Sequence, residues 1–101
     1  MSRLPQLEEL LASEPNDVFL NFGLAMELAK ARRYDESLTR FSRVIELDPS
    51  YISAYLQQAK VLLQTGDREE ARKVLASGVD RAAACGDQHA KNEMEELLNT
   101  L

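Results

Sequence analysis

Apolar residues recur along this chain at steps of three and four, with no sustained alternation of apolar and polar positions. The pattern predicts helices and no strands. Leu7, Leu10 and Leu11 make a short stripe that Pro15 ends, predicting a helix over 4–14. Asp17 then offers an N-cap to a helix carrying Phe19, Leu20, Phe22, Leu24, Met26 and Leu28. That helix is apolar on two sides, which puts it between neighbours or against a ligand. Arg32-Arg33 mark its end, and Tyr34-Asp35 open the next, whose buried face is Leu38, Phe41, Val44 and Ile45. Asp48-Pro49 stop this third helix, because a residue before proline avoids the helical region. Ser50 is the expected cap of a fourth helix running to about Gln64, with Gly66 as its stop. Asp67 and Glu70 read as a capping box for a fifth, which carries Ala71, Val74, Leu75 and Val79 to about Cys85. Gly78 lies inside it, at a cost of about 1 kcal/mol relative to Ala, and so marks a close approach of two helices. Gly86-Asp87 repeat the stop-and-cap signal. The last helix sets Ala90, Met94, Leu97, Leu98 and Leu101 against a wet face of Lys91, Glu93, Glu95 and Glu96, as a terminal cap requires.

These helices are periodic. Shifted by 34 residues the chain matches itself: Pro15 falls on Pro49, Ala25 on Ala59, Leu28 on Leu62 and Phe41 on Leu75. A period of this length belongs to stacked helix–turn–helix arrays, which bind other proteins more often than they perform chemistry. The division it predicts is an N-terminal helix over 4–14, one repeat over 18–51, a second over 52–85 and a capping helix over 87–101.

The residues at the repeat positions resemble the tetratricopeptide repeat. The first repeat carries Asn21, Leu24, Ala25 and Leu28, then Ser37 and Phe41, then Pro49. The second carries Tyr55, Gln58, Ala59 and Leu62, then Ala71 and Leu75. The stretches Arg33-Tyr34-Asp35-Glu36-Ser37 and Val44-Ile45-Glu46-Leu47-Asp48-Pro49 are strongly similar to the family. Small residues (Ala25, Ser37, Ala59, Ala71) stand where helices cross closely and large ones (Leu28, Phe41, Leu62, Leu75) fill the gaps. Three positions depart from the pattern: Asn21 replaces an aromatic, Gln58 a leucine, and Ala83 the closing proline. The N-terminal helix resembles the second helix of a preceding repeat without its first. Its leucine face is then covered by the first repeat, by another copy of the chain, or only in part.

The resemblance implies an all-α superhelix with a concave surface that holds a partner peptide or helix. Carried over position by position, the lining residues are Phe19, Phe22, Met26 and Lys30 from the first repeat and Ser53, Leu56, Lys60 and Leu63 from the second. Gln57 and Gln64 lie at the edge. Some family members grip a terminal carboxylate with Lys and Asn at these places. Here Phe22 and Met26 occupy those slots, so a carboxylate clamp is not expected. An apolar groove with basic tips at Lys30 and Lys60 suits an amphipathic helix. The same stripe could instead join two copies in a homodimer, or be covered by the C-terminal helix.

Composition narrows the function further. At 101 residues, 45% hydrophobic and 29% charged, the chain makes one ordinary globular domain. A net charge of −5 argues against nucleic acid as partner. Arg32, Arg33, Arg40 and Arg43 gather in sequence, read as a solvated face with an acidic-peptide dock as the rival. The single cysteine, Cys85, allows no internal disulfide, and with the one histidine, His89, it makes no metal site. No cofactor is expected. No apolar run is long enough to span a membrane, and the start lacks an apolar leader, so a cytoplasmic protein is the expectation. Adjacent acids such as Glu69-Glu70 and Glu95-Glu96 point to different sides of their helices and are poor acid–base pairs. No enzyme activity is expected of the chain itself; the rival reading from another class is an accessory or regulatory subunit whose partner carries the chemistry.

Overall fold

The computed structural model describes residues 2–101 and contains six helices: α1 (Leu4–Ser13), α2 (Val18–Lys30), α3 (Tyr34–Leu47), α4 (Ile52–Gln64), α5 (Arg68–Cys85) and α6 (Gln88–Asn99). Among the described residues there is no strand. Each helix packs on its neighbour in sequence, and in addition α2 touches α4 and α4 touches α6. The result is a stack with α2, α4 and α6 side by side on one face and α1, α3 and α5 on the other.

The stops and caps follow from local chemistry. Asp17, Asp67 and Asp87 each accept a backbone N–H three residues on, from Leu20 (2.8 Å), Glu70 (3.3 Å) and Ala90 (3.1 Å). Gly66 (φ 84°) and Gly86 (φ 75°) close α4 and α5 in the left-handed conformation. In each the following N–H reaches back: Asp67 to the Leu62 carbonyl and Asp87 to that of Ala82, both 2.9 Å.

Two sequence expectations fail here. Ser50 does not cap α4. Tyr51 is the N-cap residue and makes no side-chain cap bond, while the Ser50 N–H is taken by Asp48 Oδ1 at 3.0 Å. The capping box at Asp67 is only half made. The Asp67 N–H is committed to closing α4, so the Glu70 carboxylate turns instead toward Lys73, 3.9 Å away.

The core falls into three linked clusters. Leu4, Leu7 and Leu11 of α1 bury against Leu24 and Leu28 of α2. The first repeat therefore covers the leucine face of α1, and each buried leucine contributes about 1.5–3 kcal/mol. Phe41 and Val44 pack with Ala25, Ala54 and Val61, and Leu75, Ala82 and Met94 pack with Tyr55 and Ala59. At Gly78, α5 comes close to both α4 and α6. A β-carbon there would lie 2.5 Å from Met94 Sδ and 2.8 Å from Tyr55 Cβ. No proline stands at position 83, and α5 runs 18 residues, to Cys85.

Candidate interaction groove

Counting from the residue that caps each inner helix (Asp17, Tyr51, Asp87) brings equivalent positions into line. The second position holds Phe19, Ser53 and His89, all exposed. The sixth holds Gly23, Gln57 and Glu93, and the ninth Met26, Lys60 and Glu96. Met26, Gln57, Lys60, Glu93 and Glu96 of the sixth and ninth positions help wall two hollows, whereas Phe19, Ser53 and His89 line neither. One, of about 240 Å³ between α2 and α4, is lined by Met26, Ala29, Lys30, Tyr34, Gln57, Lys60 and Gln64, with Phe41 and Val61 at its floor. The other, of about 280 Å³ between α4 and α6, is lined by Leu56, Lys60, Glu93, Glu96, Leu97 and Thr100.

Of the residues the resemblance assigns to the groove, Phe19, Lys30, Ser53 and Lys60 are exposed, and Phe22, Met26, Leu56, Gln57 and Leu63 are half-buried. Phe19 is 72% exposed, and among the described residues only Leu10 is a comparably open large apolar side chain. Phe22 stands edge-on to Phe41, ring centroids 5.8 Å apart, and lies 5.0 Å from the Tyr51 ring. It therefore belongs to the core as much as to the groove. Lys30 sits 3.5 Å from Glu27, whereas Lys60 has no ion-pair partner among the described residues.

One expectation is corrected by this geometry. The C-terminal helix does not cover the Phe22–Met26 stripe: α6 packs on α4 and α5 and does not reach α2. Glu93 and Glu96, expected mostly on the wet face, are exposed and also help wall the second hollow. The signal that places them was present in the sequence, because Asp87 repeats the cap of Asp17 and the count from it lands these acids on the groove positions.

The outer side offers less. A hollow of about 480 Å³ between α1 and α3 has Leu11, Leu24 and Leu28 in its lining and Glu8, Arg33, Glu36 and Arg40 at its rim. The arginines of the sequence cluster take separate partners, although Arg33 and Arg40 line the same hollow. Arg33 grips Glu36 through two bonds of 2.6 and 2.8 Å. That hydrogen bond, more than the charge alone, raises the Arg33 pKa and holds the Glu36 carboxyl below its usual range. Arg40 donates to Asn21 Oδ1 (3.2 Å), Arg43 to Asn16 Oδ1 (2.7 Å), and Arg32 sits in a turn. No group of three or more metal-ligating side chains occurs among the described residues, and no described helix is long and apolar enough to cross a membrane. Cys85 is exposed at the end of α5.

Comparison with known proteins agrees with this architecture. The model of the tetratricopeptide repeat family matches residues 28–91. The TPR repeat-containing protein PA0015 of Pseudomonas aeruginosa is 30% identical over 95 residues, covering 94% of this chain and 90% of that protein. Among solved structures, protein BPP2914 of Bordetella parapertussis superposes with a TM-score of 0.86 at 29% identity, over 99% of this chain and 87% of that one. The TPR2B domain of yeast Sti1, solved in complex with pHsp70, superposes with a TM-score of 0.87 at 21% identity, over 95% of this chain and 77% of that one, a likeness of fold.

Proposed function

Since the chain belongs to the tetratricopeptide-repeat family, whose domains are protein–protein interaction modules, we propose that it docks a segment of a partner polypeptide along the concave face of α2, α4 and α6. The observation that carries this reading is Phe19. Its counterpart Ser53 is exposed even though a neighbouring inner helix, α2, lies beside α4. The position therefore faces solvent within the array as well as at its end, and a phenylalanine there has no folding role. An aromatic held in water at a groove position suits contact with a ligand.

The walls specify the ligand's chemistry. Phe19, with the exposed edges of Phe22 and Met26, accepts an apolar anchor, and the polarizable Met adapts to its shape. The unpaired Lys60 with Lys30 accepts an acidic side chain next along the segment. Glu93 and Glu96 favour a basic residue beyond it. The order apolar, acidic, basic along an amphipathic segment matches the groove from its α2 end to its α6 end. The Sti1 domain, with its bound pHsp70, lends this reading a precedent in fold.

The test is selection of peptides from a displayed random library on the wild-type protein and on Phe19→Glu. The reading predicts enriched sequences with an apolar anchor and flanking acid that bind the wild type and lose at least tenfold affinity on Phe19→Glu, about 1.4 kcal/mol or more, with an unchanged melting curve. Enriched peptides that bind both proteins equally would contradict it.

A further inference from the structure

Gln58 stands where the repeat pattern has a leucine. The seventh residue after the cap of each inner helix is Leu24 in α2, Gln58 in α4 and Met94 in α6. Leu24 and Met94 are core residues, and Gln58 is set nearly as deep, 8% exposed. α4 therefore sinks an amide where its neighbours place apolar side chains, which folding disfavours unless the amide's polar atoms are met.

Half of that amide is met. Its nitrogen donates to Ser42 Oγ at 3.0 Å and to the Leu38 carbonyl at 3.4 Å, both on α3. Its oxygen accepts from no described residue. No fully buried polar side-chain atom among the described residues lacks a partner, so this oxygen is open to the outside. It opens on a hollow of about 280 Å³ between α3 and α5, helices that both pack on α4 and do not touch each other. Half-buried Ile45 and Val74 line the hollow with Gln58, and so do Ser42 and Ser77. Tyr55 lies there too, but its hydroxyl is committed to the Pro49 carbonyl. Glu70 and Lys73 complete the lining, 3.9 Å apart, so it has no net charge.

We propose that this hollow seats the indole ring of a tryptophan on a partner polypeptide, with the indole N–H given to Gln58 Oε1. A carbonyl oxygen can only accept and an indole N–H can only donate, so the two match without a leftover group. Ile45 and Val74 offer the ring apolar contact, and the uncharged lining favours neither a basic nor an acidic side chain. The volume falls just below the roughly 300 Å³ at which sites for drug-sized ligands begin, which is room for one side chain rather than a segment. Tryptophan joins a large apolar body to one polar tip and is a common interface anchor. This chain contains none, so the occupant is another protein and not a second copy. The site lies between outer helices and leaves the concave face of α2, α4 and α6 free, so it stands or falls apart from the reading of that face.

Titration of the isotope-labelled full chain with free indole, followed by amide chemical shifts, tests the site. Shifts should gather on Ser42, Ile45, Gln58, Val74 and Ser77, with half-saturation on the order of 1 mM for so small a ring. N-methylindole, which keeps the ring and loses the donor, should bind about three- to tenfold more weakly, one hydrogen bond being lost. Gln58→Leu puts the pattern's leucine back and should keep the helical circular dichroism, while binding the two compounds with equal affinity. The comparison of the two compounds on the wild type stands without the variant. The proposal would be overturned if roughly 10 mM indole, tenfold above that constant, moved none of these amides or only those around Phe19 and Met26. It would be overturned equally by N-methylindole binding the wild type as well as indole does, or by a preference for indole that persists in Gln58→Leu.

Discussion

Asn21 and Tyr55, 34 residues apart, make the same tertiary bond with different chemistry. Asn21 Nδ2 donates to the Pro15 carbonyl at 3.1 Å, and Tyr55 Oη donates to the Pro49 carbonyl at 2.7 Å. In both repeats the fourth residue of the inner helix ties down the proline that ends the preceding helix. Asn21 adds a bond to the Asp17 carbonyl (2.9 Å) and accepts from Arg40, so its buried amide is satisfied on both sides. Urea denaturation should show Tyr55→Phe costing about 1 kcal/mol, a single hydrogen bond lost. Asn21→Ala should cost more, about 1–3 kcal/mol, because it strands buried polar groups. Equal and negligible losses would mean that these bonds do not hold the repeat junctions.

Gly78→Ala should destabilise the protein, reversing the usual gain from placing Ala in a helix. The added methyl would lie inside contact distance of both Met94 Sδ and Tyr55 Cβ. Met94 can swing aside, but a β-carbon moves only with its backbone, so overpacking of about 1–3 kcal/mol is expected. A higher melting temperature for Gly78→Ala would show that α5 and α4 are not so closely apposed.

Arg32 occupies the place that Gly66 holds one repeat later, with φ 62° against 84°. Its turn has the same bonds, Arg33 N–H to the Leu28 carbonyl at 2.9 Å and Arg32 N–H to that of Ala29 at 3.0 Å. A side chain in this conformation is strained by about 1 kcal/mol. Arg32→Gly should raise the unfolding free energy by several tenths of a kcal/mol, the relief being partly offset by the greater freedom of unfolded glycine. Gly66→Ala should lower it by about 1 kcal/mol. Thermal melts of the two variants should move in opposite directions.

Removing residues 87–101 strips α6 from the stack and leaves Leu75, Ala82 and Tyr55 facing water where Met94 now covers them. The truncated chain should aggregate or lose its helical circular dichroism. The point variant Met94→Ala should cost about 2–5 kcal/mol, as for other fully buried methionines. A soluble truncation of wild-type stability would mean that α6 only ornaments the array.

Much of this was readable from local chemistry. Asp17, Gly66, Gly86 and Asp87 announce their helix ends because each satisfies backbone groups with its own side chain or its own φ. The 34-residue match then fixes which helices stack. What escaped the sequence depends on where a helix starts and on distance. Ser50 lost its cap role because the helix starts one residue later than its cap position requires, with Tyr51 as the N-cap residue. The arginines read as one solvated face found individual partners, Arg40 reaching Asn21, 19 residues away. Helical periodicity shows that Phe22 faces something apolar, but not that its half-buried ring packs against both Phe41 and Tyr51. Periodicity likewise gave α6 one dry stripe around Met94, which fits an outer cap and an inner groove wall equally well.

The central claim is that the concave face binds a polypeptide. The most direct measurement is a titration of the isotope-labelled protein with the tightest library-selected peptide, followed by amide chemical shifts. Perturbations concentrated on Phe19, Phe22, Met26, Lys60 and Glu96 are the predicted result. Shifts confined to the α1–α3 side, around Glu8, Glu36 and Arg40, would contradict it.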